Sequence, residues 1–76
     1  MRSAKLLRPN VRNKLSERVE LFIHDSNHAQ LRNHELKGKW IGYRSIDITG
    51  DIRALYLVRD DEVIFDAIGT HSQLYG

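Results

Sequence analysis

The sequence predicts an α+β fold in which an N-terminal helical hairpin packs on a three-stranded antiparallel sheet. Two observations carry this. Val11, Leu15, Val19 and Phe22 recur at spacings of four, four and three, one apolar stripe of a helix running from Pro9 to about His24. Further on, three strand-like runs, Gly42–Thr49, Ile52–Arg59 and Val63–Thr70, are joined only by Gly50-Asp51 and Asp60-Asp61-Glu62. Links this short permit only hairpins, so the runs form a meander. A chain of 76 residues makes one domain, residues 1–76, with a thin core and a narrow stability margin.

In chain order, residues 1–7 read as the tail of a first helix, with Ala4, Leu6 and Leu7 apolar. Pro9 ends it and opens the second helix, because proline is tolerated in a first turn. Asp25-Ser26-Asn27-His28 terminates that helix, and Ala29–Leu36 holds room for one more turn. Gly38 and Gly42 bracket Trp40 in a loop. The first strand alternates, with Arg44, Ile46 and Ile48 on one face and Tyr43, Ser45, Asp47 and Thr49 on the other. The helices are expected to cover the Ile46/Ile48 face and to leave the polar face open. Apolar residues on both faces make the second and third strands the sheet interior.

The net charge of +2 hides an asymmetry. Arg2, Lys5, Arg8, Arg12, Lys14 and Arg18 crowd the first quarter, where Glu17 is the only acid, whereas Asp60, Asp61, Glu62 and Asp66 cluster late. Arg8, Arg12 and Lys14 oppose the dipole at the positive end of the Pro9 helix. Arg8/Arg12 and Lys14/Arg18 are like-charged pairs four apart, each costing ~0.3 kcal/mol. Stability alone does not select this pattern, and it points to a polyanion, nucleic acid first, bound through Arg8 and Arg12. A solvated charged face is the alternative. With no cysteine and no apolar run near the roughly 20 residues of a membrane span, the expectation is a cytoplasmic protein that does not contact membranes.

The meander brings Asp47, Asp51, Arg53 and His71 to one edge of the sheet. Two carboxylates, a guanidinium and an imidazole there suit acid–base chemistry on a phosphate. Histidine at a strand end is commonly a rim residue, but imidazole titrates near neutrality and His71 stands beside Asp51 and Arg53. Asp51 is also ordinary turn chemistry after Gly50. Arg53 interrupts an apolar strand, where an unpaired charge is costly, so an anionic partner in a groove is expected. His34 joins the group only if Leu36–Ile41 folds back along the sheet; eight residues span about 26 Å, which permits it. Trp40 and Tyr43 either stack on bases or anchor the loop, the commoner role. His24, His28, His34 and His71 lack metal-ligand spacing, and no glycine-rich phosphate loop is present, so neither metal nor cofactor is expected.

Three segments together resemble the RelE/YafQ superfamily of ribonuclease toxins from type II toxin–antitoxin systems. They are Leu31 with His34-Glu35-Leu36-Lys37-Gly38-Lys39-Trp40-Ile41-Gly42-Tyr43-Arg44, then Asp51-Ile52-Arg53-Ala54-Leu55-Tyr56, then Ile68-Gly69-Thr70-His71-Ser72-Gln73-Leu74-Tyr75. The resemblance implies a microbial-RNase-like fold with a four-stranded sheet. It also implies a toxin that enters the ribosomal A site, cuts mRNA and is inhibited by a cognate antitoxin. Carried over by motif, His34, Asp51, His71 and Tyr75 are site residues, and Arg44 and Arg53 hold the scissile phosphate. Asp47 stands where YafQ-like toxins often place a histidine. Family members usually carry a strand before the first helix, whereas Met1 opens inside that helix, so either the start is truncated or the chain is a degenerate copy.

The function expected is therefore ribosome-dependent, metal-independent mRNA cleavage by 2′-OH attack on the adjacent phosphate. The alternative is a catalytically silent, truncated homologue that still binds antitoxin or RNA. A sheet lacking one strand exposes a pairing edge, so dimerisation or dependence on a partner is also expected.

Overall fold

The structure, a computed structural model, describes residues 8–75. Helix α1 spans Pro9–His24, as its apolar stripe requires. The first helix of the expected hairpin falls on residues 1–7, outside the described residues. Among the described residues the sheet has four antiparallel strands in the order β1-β2-β3-β4: β1 His34–Glu35, β2 Arg44–Asp47, β3 Ile52–Arg59 and β4 Glu62–Thr70. A short helix α2, His71–Tyr75, closes the described chain.

The fourth strand arises in the middle of the chain, where one more helical turn was expected. Only Ala29–Leu31 turn, as a 3-10 segment capped by His28 Nδ1, which accepts from the Gln30 N–H at 3.1 Å. Arg32 then adopts the left-handed conformation (φ 47°, ψ 45°) and redirects the chain into β1. His34 and Glu35 pair with Ser45 and Arg44. The return is made by a loop in which Gly38 (φ 65°) and Gly42 (φ 92°) supply the positive φ that other residues resist.

Strand β2 ends at Asp47 instead of Thr49 because the next residues form the turn. The Thr49 hydroxyl oxygen accepts from the Asp51 and Ile52 N–H groups, and the Ile52 carbonyl accepts from Ile48 and Thr49 N–H. The β3–β4 link is tighter than the sequence reading. Asp60 and Asp61 both have positive φ (52° and 66°), the signature of a two-residue turn whose twist matches the strands. Glu62 already belongs to β4.

Register assigns the faces. Ile46, Ala54 and Ile68 are partners across β2, β3 and β4, and they share the main core with Phe22 of α1, Leu31, Ile48 and Tyr56. A bulge opposite Leu55/Tyr56 takes up Asp66, which brings Phe65 as well as Ile68 to this face. Phe22 then meets Tyr56 and Phe65 edge-on, with centroids 4.9 and 5.5 Å apart, and Tyr56 and Phe65 are tilted against each other at 5.4 Å.

The second face is not open, contrary to the sequence reading. Its central row is Ser45, Leu55 and Ala67, and Ser45 and Leu55 are fully buried. Cover comes from α2, which packs back on β4 with Leu74 buried beside Gly69. The helix is fixed by a reciprocal cap: the Thr70 N–H donates to Gln73 Oε1 (2.8 Å), and the Gln73 N–H donates to Thr70 Oγ1 (3.2 Å). Apolar side chains stay exposed at the far end of the molecule, where Ile23, Val58 and Val63 rim a cleft between α1 and the β3–β4 turn.

Candidate active site

The sheet face turned away from α1 carries the site. His34 pairs with Ser45, and Asp47 pairs with Arg53, which in turn faces Gly69. All five therefore lie on one face, with His71 following where β4 gives way to α2. Arg32, His34, Leu36, Arg53, His71 and Tyr75 line a hollow of about 280 Å³. A neighbouring hollow is lined by Gly50, Asp51, Arg53, Thr70, His71 and Ser72, so Arg53 and His71 form the wall between the two.

Each imidazole is oriented by a specific contact. His34 Nδ1 lies 2.7 Å from the carbonyl oxygen of Arg32. A carbonyl can only accept, so Nδ1 carries the proton and the neutral ring keeps its lone pair on Nε2. His71 packs on the ring of Tyr75 one turn along α2, with centroids 4.7 Å apart. That contact turns Tyr75 toward the histidine.

Asp47 stands between two guanidiniums. Its Oδ2 is 3.6 Å from Arg32 Nε and its Oδ1 is 3.7 Å from Arg53 Nε. Arg53 is half-buried, its side chain 22% exposed, whereas that of Arg32 is 71% exposed. Beneath them, the buried Ser45 hydroxyl has no hydrogen-bond partner among the described residues.

The structure thus gathers His34, Asp47, Arg53, His71 and Tyr75 and leaves Asp51 on the exposed rim next door. It does not bring in Arg44. Register sets Arg44 opposite Tyr56 on the helix side, where Nε donates to Asn33 Oδ1 at 2.8 Å. Asn33 Nδ2 donates in turn to Tyr56 Oη and the Ser26 carbonyl, so Arg44 braces the turn after α1. Arg8, the N-cap of α1, and Arg12 within it are exposed, on the opposite side of the sheet from the hollow. Arg32 was missed by sequence reasoning, since its role depends on a left-handed residue that no local pattern announces.

Trp40 and Tyr43 anchor the loop. Trp40 Nε1 donates to the Leu74 carbonyl, and Tyr43 Oη donates to Asp66 Oδ2, each at 2.8 Å. The bond to Asp66 and the carboxylate's charge, together with burial, hold the Tyr43 phenol above its ordinary value, against a smaller opposing pull from Arg59.

A sequence profile described as the bacterial toxin of type II toxin–antitoxin system, YafQ, matches residues 1–76. Over 66 residues the chain is 33% identical to the mRNA interferase toxin YafQ of Escherichia coli strain K12, covering 84% of this chain and 72% of that protein. The crystal structure of an E. coli YafQ mutant superimposes with a TM-score of 0.76 at 29% identity, covering 97% of this chain and 82% of the other. The E. coli DinJ–YafQ toxin–antitoxin complex gives 0.69 at 33% identity, with coverages of 84% and 72%. The chain belongs to the YafQ family of bacterial toxins from type II toxin–antitoxin systems.

Proposed function

We propose that this chain is an mRNA interferase that cuts mRNA in the ribosomal A site and is neutralised by an antitoxin in the cytoplasm. The observation that carries the reading is the single hollow shared by His34, Arg53, His71 and Tyr75, on the face that α1 leaves free. A relative named as an mRNA interferase, and relatives solved in complex with the antitoxin DinJ, support the activity and the partner.

In the proposed reaction the substrate's 2′-oxygen attacks the adjacent phosphorus. His34, with its lone pair held on Nε2, takes the 2′-OH proton. His71, oriented by Tyr75, delivers a proton to the departing 5′-oxygen as the P–O5′ bond breaks. The products are a 2′,3′-cyclic phosphate and a 5′-hydroxyl. Arg53 offsets the charge that builds on the equatorial oxygens. Asp51, on the rim of the neighbouring hollow that His71 shares, supports that histidine's proton transfer, and Arg8 and Arg12 contribute to RNA attraction at longer range.

Expression without an antitoxin is expected to arrest bacterial growth, and His71→Ala to relieve the arrest. Equal growth of the two would favour a silent homologue that only binds antitoxin or RNA.

A further inference from the structure

The Asp47 carboxylate is shared by two cations, so the cluster keeps a residual charge of one. Both contacts are made through Nε, one to each carboxylate oxygen, at 3.6 and 3.7 Å. These are ion pairs too long for hydrogen bonds. Neither guanidinium has a side-chain hydrogen bond to another described residue. Arg53 lines both hollows and is paired only through Nε, so its terminal nitrogens are available to an anion that enters.

The backbone reinforces this reading. Arg32 occupies a left-handed conformation that costs a non-glycine residue roughly 1–2 kcal/mol. That one conformation turns the Arg32 carbonyl to His34 Nδ1 and leaves the side chain at Asp47. Glycine would hold the same backbone without strain, so the arginine side chain is what the position retains at that cost.

We propose that Arg32 and Arg53 form a two-guanidinium seat for an RNA phosphodiester, with Asp47 as the strut that aims them. Asp47 is then a positioning residue, not a proton carrier. The seat rests on the RNA-cleaving reading for the identity of its phosphate. An acid beside a phosphate site ordinarily weakens anion binding; here it strengthens binding by holding both forks toward the same point.

The test is nuclear magnetic resonance of the whole chain, following the arginine Nε–H signals during titration with an uncleavable 2′-O-methyl RNA tetranucleotide and, separately, inorganic phosphate. The tetranucleotide is expected to move both the Arg32 and Arg53 signals. Arg32→Gly, which keeps the backbone turn, is expected to raise its Kd about tenfold, as loss of a charge-assisted hydrogen bond does. Asp47→Asn is expected to raise the Kd as well, although it removes a negative charge, and to add little once Arg32 is glycine. Tighter binding by Asp47→Asn, an unchanged Kd in Arg32→Gly, or signals moved by inorganic phosphate alone would each overturn the seat. Cleavage by wild type is measured separately. Cutting with an unchanged Arg32→Gly Kd sinks the seat alone, and a working seat without cutting sinks the enzyme reading alone.

Discussion

Trp40 and Leu74 are 34 positions apart, yet the indole Nε1 donates to the Leu74 carbonyl at 2.8 Å. The bond ties the loop after β1 to the helix that carries His71 and Tyr75, so both halves of the hollow share one fastening. Trp40 also meets the Tyr43 ring edge-on at 5.1 Å, which continues the tie to Asp66 on β4.

Trp40→Phe keeps an aromatic ring but removes the donor. A loss of about 1 kcal/mol in urea unfolding is expected, as for one hydrogen bond, with a larger proportional fall in cleavage because α2 loosens. Unchanged cleavage at reduced stability would show that α2 holds His71 without the loop.

Tyr43 gives the fold a pH dependence with a definite sign. Its phenol is held protonated by Asp66, so the folded value lies above the unfolded one of about 10. The stabilisation from the Tyr43–Asp66 bond is then complete below the unfolded value and lost as pH rises through the folded one. Comparing Tyr43→Phe with wild type in urea melts should show a gap at pH 7 that closes in strongly alkaline buffer. A gap that widened with pH would contradict this assignment.

Ser45 is fully buried with its hydroxyl unmet among the described residues. Removing an unsatisfied buried polar group relieves its desolvation cost, so Ser45→Ala is expected to leave stability unchanged or raise it by about 1 kcal/mol. A loss of that size instead would reveal a hydrogen bond to the Ser45 hydroxyl.

Much of the sheet was legible because alternation and short links are local. Ile46 and Ile48 had to share the buried face, whereas a Gly50-Asp51 turn alone would set Asp47 opposite Ala54; the longer turn through Thr49 moves the register by one and sets Asp47 opposite Arg53. Strand β1 was not legible, since two residues have no period and His34 and Glu35 are strand only through Ser45 and Arg44. The Arg44 motif suggested a phosphate ligand, yet register turned the side chain to Asn33. Helix α2 did leave a signal, the capping box Thr70-His71-Ser72-Gln73, but five residues offer no apolar stripe to confirm it. That omission is why the second face was expected to be bare.

The central claim is that this face cuts RNA by transfer to the 2′-oxygen. The most direct measurement is chemical analysis of the RNA ends formed when purified protein meets mRNA-programmed ribosomes. The account predicts 2′,3′-cyclic phosphate and 5′-hydroxyl ends from wild type, with cutting reduced at least ~100-fold in His71→Ala. Uncut mRNA, equal cutting by the variant, or 3′-hydroxyl and 5′-phosphate ends would contradict it.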